Sequence, residues 1–129
     1  MTLRTNMKIE YREYITRKDL RNNPNKIYLF GDNLLKTGFG GQAKEMRNEP
    51  NAIGIPTKKK PFMSNDSFFS DNDFNAIKKI LDEIFICIPH NVTIVIPKAG
   101  LGTGRAMLRE NAPKIWKYLQ LKLKQLETI

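Results

Sequence analysis

Two glycine-rich segments are the parts of this sequence best suited to chemistry, because each follows directly on a short apolar run. The first covers residues 31–41 and the second residues 97–104. Glycine has no Cβ and therefore lets backbone N–H groups approach an anion closely, as phosphate-binding loops do. Neither segment has the Gly-Lys-Ser/Thr ending of a P-loop or the spacing of a dinucleotide fingerprint. Together they predict a site for a phosphate-bearing ligand; the alternative is that both are only tight turns.

Polar and basic side chains flank these segments. Asp32 and Asn33 open the first one, where they would serve a ligand or merely cap a helix or a turn. Lys58 begins a run of three lysines after another apolar run, and would either meet an anion or lie in a solvated loop. A lysine acts as a nucleophile only where its surroundings lower its pKa. Arg105 and Arg109 follow the second segment and would clamp a terminal phosphate.

The cysteine and histidine counts exclude several classes. Cys87 and His90 are the only residues of their kinds, too few for a zinc site of about four Cys and His ligands or for an internal disulfide. We expect no metal and no cofactor, and a reducing, cytoplasmic compartment. Cys87 lies between isoleucines and is predicted to be a core residue. No apolar run approaches the roughly 20 residues that cross a bilayer, so no membrane partner is expected.

The charge balance supports a second hypothesis. The 129 residues carry 22 Lys plus Arg against 13 Asp plus Glu, a formal net charge of +9. Such a charge attracts polyanions, although it also serves solubility alone. The alternative function is therefore a basic nucleic-acid-binding protein in which the glycine segments are structural.

The elements that would position these residues alternate between strands and helices. Residues 27–30, 52–55 and 92–96 are nearly continuous apolar runs, typical of strands buried on both faces of a parallel sheet. Met7, Ile9 and Tyr11 alternate with charged residues and predict a half-buried strand. Such alternation indicates an α/β fold with a largely parallel sheet, which we interpret as one domain over residues 1–129. Ligands of such sheets bind at the carboxyl ends of the strands, where the two segments would converge.

Helical spacing separates the runs. Gln42 to Arg47 is predicted to be a short helix. Ser70 and Asp73 form a capping box ahead of an apolar stripe at spacings of three and four. The last helix is predicted to start near Pro113. The two stripes consist of Phe74, Ile77, Leu81, Ile84 and Ile88, and of Ile115, Trp116, Leu119, Leu123 and Leu126.

The two glycine segments resemble the paired signatures of the macrodomain family. Gly31-Asp32-Asn33 followed by residues 38–43 is similar to the first signature, and residues 95–104 are similar to the second. The resemblance covers roughly residues 7–126 and is nearest to small, divergent macrodomain-like proteins of bacteria and bacteriophages. It implies a three-layer α/β/α sandwich with a mixed, largely parallel sheet. For a phage-encoded protein it also implies the host cytoplasm.

The resemblance implies binding of ADP-ribose or a related nucleotide metabolite. Asn33 would bind the distal ribose, Gly40 and Gly41 would line that ribose and the adjacent phosphate, and residues 100–104 would wrap the diphosphate. It leaves open the hydrolysis of an ADP-ribosyl linkage or of a terminal phosphate, with Asn33 and Lys58 as catalytic residues. The ligand-binding residues so implied are Asp32, Asn33, Gly38, Gly40, Gly41, Gln42, Gly100, Leu101, Gly102, Thr103, Gly104 and Arg105.

The sequence departs from the family at two places. The aspartate that reads adenine is missing from residues 13–16, which leaves Glu13 or Asp32 to substitute for it. An acid that can follow the second glycine segment is replaced by Arg105, with Glu110 nearby. Phe62, Phe68 and Phe69 would cover a base or anchor their loop to the core. Exposed hydrophobic residues around Phe68 would instead suggest a phage accessory protein that acts on a host partner and has a vestigial cleft.

Overall fold

The computed structural model describes residues 8–127, so Met7 of the first predicted strand lies outside the described residues. Within that range the chain forms four strands and five helices, joined by short turns and three one-turn 3-10 segments. The strands and helices are β1 (Lys8–Arg12), α1 (Arg17–Asn22), β2 (Lys26–Asn33), α2 (Ala43–Met46), β3 (Ala52–Lys58), α3 (Phe74–Ile86), β4 (Thr93–Pro97), α4 (Leu108–Asn111) and α5 (Pro113–Glu127).

The four strands form one sheet in the order β1-β4-β2-β3, and every pairing is parallel. Val95 of β4 lies opposite Tyr28 of β2, and Tyr28 lies opposite Ala52 of β3. The predicted α/β class and the parallel sheet are therefore confirmed. An antiparallel strand, which a mixed sheet would contain, is not found in residues 8–127.

Helices cover both faces of the sheet, because consecutive side chains of the central strands enter different cores. Leu29, Ile94 and Ile96 pack with the apolar stripes of α3 and α5. Phe30 and Val95 pack on the opposite face with side chains of α1 and α2. Burial on both faces explains why the strand runs are almost continuously apolar.

The connections create a crevice between β2 and β4. The chain steps from β1 to β2 to β3 in one direction, with α1 and α2 on one face, and returns through α3 on the other face to insert β4. Crossover connections between parallel strands are right-handed. A chain that reverses its direction along the sheet must therefore cross to the other face of the sheet. The chain therefore leaves the neighbouring strands β2 and β4 toward opposite faces. Such a switch point is where α/β sheets bind ligands.

Local sequence signals set most helix boundaries. Thr16 and Asp19 make a reciprocal capping box at α1. The predicted box of Ser70 and Asp73 is present, but it caps a 3-10 turn that leads into α3. Helix α5 starts at Pro113 as predicted. Four stripe residues of α5 are buried, while Trp116 is half-buried, with the guanidinium of Arg109 5.1 Å from its ring centroid. The buried stripe residues are Ile115, Leu119, Leu123 and Leu126.

Two predictions about burial are wrong. Tyr11 is 53% exposed and donates to a Glu127 carboxylate oxygen at 2.6 Å, because β1 is an edge strand. Cys87 is exposed, because it caps the end of α3 and the chain turns there to bury Ile88 instead. Within the described part of the chain, no helix has both the length and the apolar character needed to cross a membrane.

Candidate functional site

A cleft of about 720 Å³ lies at the carboxyl ends of the strands, at the switch point between β2 and β4. Its volume falls in the range of about 300–1,000 Å³ that is usual for small-molecule sites. The cleft brings together twelve of the thirteen predicted site residues, namely Asp32, Asn33, Gly38, Gly40, Gly41, Gln42, Lys58, Gly100, Gly102, Thr103, Gly104 and Arg105. The exception is Leu101, which is 1% exposed and belongs to the core with α3 and α5. Arg109, which was predicted to clamp a phosphate with Arg105, does not line the cleft, and its guanidinium lies over the ring of Trp116.

Asn33 is the last residue of β2, so the predicted end of this strand at residue 30 is wrong. The strand continues through a register shift after Asp32, which sets Asn33 opposite Lys58 of β3. Asn33 is 7% exposed, and its Nδ2 donates to the Thr37 carbonyl at 2.8 Å. Its Oδ1 is buried and accepts no hydrogen bond from any described residue. Buried polar atoms are nearly always paired, so this oxygen stands out as a buried acceptor without a donor among the described residues.

Asp32 forms a buried ion pair with Arg47, and both side chains are under 10% exposed. Two guanidinium nitrogens of Arg47 lie 2.6 and 3.1 Å from the two carboxylate oxygens. Arg47 also donates to the carbonyls of Thr37 and Gly38 and lies over the ring of Phe30. Asp32 therefore fixes the start of the first glycine segment through Arg47, and both its carboxylate oxygens are engaged.

Arg47 was not among the predicted site residues. It lies 15 positions after Asp32, just past a one-turn helix, and nothing in its spacing distinguishes it from a solvated arginine. Gly54 was missed as well. A Cβ at Gly54 would stand 2.6 Å from Asp32 Oδ2, so this glycine makes room for the buried carboxylate.

Glycine has a different role at Gly40 and Gly41. A Cβ at either position would meet no heavy atom within 4 Å, and both residues line the cleft. Gly41 has φ +55° and so has a backbone reason to be glycine, whereas Gly40 has no positive φ. Gly40 therefore keeps space open at the cleft wall.

Gln42 ties the first glycine segment to the loop after β1. Its side-chain amide accepts from the Ile15 backbone N–H and donates to the Ile15 carbonyl, each at 2.8 Å. This pair of hydrogen bonds places Glu13 and Tyr14 at the cleft wall, where the resemblance expects the adenine-reading residue. Glu13 is largely exposed and pairs with Lys98 at 3.2 Å. Tyr14 is also exposed.

Lys58 ends β3 and is 8% exposed. Its Nζ donates to the Phe62 carbonyl at 2.5 Å, contacts the sulfur of Met63 at 3.7 Å, and lies 4.8 Å from the ring centroid of Phe68. Burial lowers the pKa of Lys58, and the positive charge of Arg105 lowers this pKa further. Lys58 has no ion pair with a carboxylate of residues 8–127.

The aromatic residues of the loop after β3 divide between two roles. Phe69 is 2% exposed and anchors the loop in the core, whereas Phe62 is exposed but does not line the cleft. Phe39, in the first glycine segment, is also exposed and lines the cleft. The cleft mouth therefore offers aromatic surface. No three His, Cys, Asp or Glu side chains of the described residues are grouped so that they could hold a metal ion.

Comparison with known proteins gives one match. No curated protein and no solved structure matches the chain. The model of a family of unknown function, DUF7831, matches residues 10–122. The chain therefore belongs to that family.

Proposed function

We propose that the cleft binds ADP-ribose or a related nucleotide metabolite, and that the fold is a three-layer, macrodomain-like sandwich. The observation that carries this proposal is the unpartnered Oδ1 of Asn33, buried between the two glycine segments. A ribose hydroxyl is a donor of the right kind for this oxygen, and satisfying a buried acceptor contributes about 1–3 kcal/mol. Thr37 holds the other end of the amide and so fixes which atom faces the ligand.

The second glycine segment supports a diphosphate next to that ribose. Gly102 and Gly104 have φ values of +79° and +61°, a backbone region that other residues rarely adopt, whereas the Gly100 N–H already donates to the Pro97 carbonyl at 2.8 Å. Successive backbone N–H groups in such turns form concave anion sites. Lys58 and Arg105 stand beside this segment as positive charges.

The opposite wall suits a nucleobase. Tyr14 is 56% and Phe39 is 63% exposed although both line the cleft, so their rings are free to stack on a base. Of the two carboxylates on the cleft wall, Asp32 has both oxygens engaged by Arg47. Glu13 pairs with Lys98 through Oε1 only, which leaves Oε2 to accept from an exocyclic amine of the base.

Hydrolysis of an ADP-ribosyl linkage or of a terminal phosphate would use the same cleft. Asn33 would hold the distal ribose and Lys58 would stabilise the developing negative charge. Water is the attacking group, and it ends up bonded to the anomeric carbon or to phosphorus as the leaving oxygen takes up a proton.

Isothermal titration calorimetry with ADP-ribose, AMP and a short DNA oligomer at two salt concentrations tests the proposal. We expect micromolar, one-to-one binding of ADP-ribose that is lost in Asn33→Ala. Asn75→Ala, an exposed asparagine on α3, is the matched control and should bind like the wild type. Binding of DNA alone would favour the nucleic-acid hypothesis, and an Asn33→Ala protein that binds ADP-ribose normally would overturn the proposed site.

A further inference from the structure

Lys58 is a buried cationic side chain without a counterion. Among the residues that the structure describes, only Arg47 and Lys58 are both buried and basic, and each is 8% exposed. Asp32 accepts from Arg47 at 2.6 and 3.1 Å, so that guanidinium is neutralised. The Nζ of Lys58 instead contacts a carbonyl, a thioether and an aromatic ring. Buried charges are normally paired, so these surroundings favour a neutral amine.

The hydrogen bonds of Lys58 suit a neutral amine as well as an ammonium. Its Nζ lies 2.5 Å from the Phe62 carbonyl oxygen and 3.7 Å from the Met63 sulfur, and two N–H groups are enough for these two acceptors. No residue within 8–127 offers a third hydrogen-bond acceptor, and the Phe68 ring attracts the charged form far less than a counterion would. In the neutral amine the third position holds the lone pair. Because Lys58 lines the cleft, a small molecule that enters the cleft can meet this nitrogen.

The charges around Lys58 would stabilise an anion better than they stabilise an ammonium. Arg105 lines the same cleft, is exposed and forms no ion pair with any described residue. Burial lowers the pKa of Lys58, and the positive charge of Arg105 lowers this pKa further. The carboxylate of Asp32 is already neutralised by Arg47. A negative group on the Lys58 nitrogen would therefore replace the repulsion between two cations by an attraction.

The charge of the product selects the reagent. An aldehyde that reacts with a lysine gives an imine, and an acyl donor gives an amide; neither product is an anion, so Arg105 would stay unpaired. Carbon dioxide gives an anionic carbamate. It is also small and uncharged, so it enters a narrow, partly apolar site without a binding pocket of its own.

We propose that Lys58 is a site of reversible carbamylation by carbon dioxide. The lone pair of the neutral Nζ forms an N–C bond, one C–O π bond gives its electron pair to oxygen, and a proton leaves the nitrogen for water. The carbamate nitrogen keeps one N–H for the Phe62 carbonyl and gives up the Met63 contact, while Arg105 supplies the compensating positive charge. The modification goes beyond the proposed function and does not depend on it, because the reaction needs no nucleotide.

Carbon-13 NMR of the wild-type protein in ¹³C-bicarbonate, which equilibrates with ¹³CO₂, tests this proposal. We expect a carbamate resonance, separate from those of bicarbonate and CO₂, that is lost in Lys58→Arg. Arginine keeps a positive charge and a donor for the Phe62 carbonyl, so this variant should fold like the wild type. A wild-type protein without the resonance, or a Lys58→Arg protein that keeps it at full intensity, would overturn the proposal.

Two further variants keep the result interpretable. Lys79→Arg makes the same exchange at an exposed lysine of α3 and should leave the resonance unchanged. The α-amino group, whose ordinary pKa is about 8, contributes equally to all the proteins and is subtracted with Lys58→Arg. Arg105→Gln should carry less carbamate than the wild type at the same bicarbonate concentration, because it removes the compensating charge. Equal occupancy in Arg105→Gln and the wild type would overturn the role given to Arg105.

Bicarbonate also separates this proposal from the proposed function. The carbamate places a negative charge where ADP-ribose would need a positive one, so bicarbonate should weaken ADP-ribose binding more than chloride does at equal ionic strength. Lys58→Arg should not show this difference. A carbamate without ADP-ribose binding would support the modification and reject the ADP-ribose assignment, whereas ADP-ribose binding without a carbamate would reject the modification alone.

Discussion

At the scale of single residues, glycines that look equivalent in the sequence have opposite roles. Gly40→Leu should leave the free energy of unfolding within about 0.5 kcal/mol, because its side chain enters open space and its φ is not left-handed. The same change should weaken ADP-ribose binding at least tenfold by filling the cleft wall. Urea denaturation and calorimetry measure the two effects, and a Gly40→Leu protein that binds ADP-ribose normally would place the ligand elsewhere.

The titration of Lys58 gives a pH dependence with a defined sign. Burial and then Arg105 lower the pKa of this ammonium, so it loses its proton at lower pH than an exposed lysine does. Phosphate affinity should therefore fall as the pH rises through that lowered pKa, since the neutral amine no longer attracts an anion. Calorimetric titrations of ADP-ribose from neutral to alkaline pH measure the effect. Lys58→Arg, which stays charged, should flatten the profile; an equally steep fall in that variant would assign the titration to another group.

Which residues line the cleft could be predicted from the sequence, but what each of them contacts there could not. The glycine segments, Asn33 and Lys58 do line one cleft, because the carboxyl ends of parallel strands meet at one edge of the sheet. The partner of Asp32 could not be predicted, because the Asp32–Arg47 contact joins β2 to the residue after α2 and exists only once both have packed. The resemblance implies that Leu101 contacts the diphosphate through its backbone amide, and the structure adds that its side chain packs in the core.

At the scale of elements, the Arg47–Asp32 pair joins β2, the first glycine segment and the end of α2. Arg47→Leu should lower the free energy of unfolding by about 3–5 kcal/mol, because it leaves a buried carboxylate without its counterion. The double variant Asp32→Asn with Arg47→Leu should recover part of that loss. Urea denaturation measures both proteins.

Arg21→Leu is the control for that prediction. Arg21 pairs with Glu49 while 68% exposed, so its removal should cost less than about 1 kcal/mol. Similar losses of unfolding free energy for Arg21→Leu and Arg47→Leu would mean that the buried Arg47–Asp32 pair stabilises the fold no more than an exposed pair does. The role given to Arg47 in holding the first glycine segment would then be wrong.

Element identity was easier to predict than element length. All three apolar runs are strands, and α3 and α5 have the predicted stripes except for Ile88, which is buried but follows the end of α3 at Ile86. The strands β2 and β3 extend further than expected because their last residues, Asn33 and Lys58, are polar and resemble loop residues. These polar ends are paired in the sheet and line the cleft, so polar character does not mark the end of either strand.

At the scale of the whole molecule, alternation of strands and helices predicted the parallel sheet but not its strand order. Insertion of β4 between β1 and β2 depends on contacts between residues more than 60 positions apart, such as Ile27 with Ile94. No local pattern contains that information. The position of the cleft depends on this insertion, because it makes β2 and β4 neighbours whose following segments leave toward opposite faces.

The net charge of +9 belongs to the whole surface, and salt separates its effect from that of the cleft. ADP-ribose would meet two unpaired cations, Lys58 and Arg105, so its affinity should fall by about tenfold or less between 50 and 200 mM salt. A DNA oligomer that contacts 6–10 phosphates should lose about 10³–10⁵-fold over the same range. Calorimetry for ADP-ribose and fluorescence anisotropy for DNA measure the two slopes. An equally steep fall for ADP-ribose would mean that it binds to the diffuse surface charge, and the glycine segments would then be structural turns.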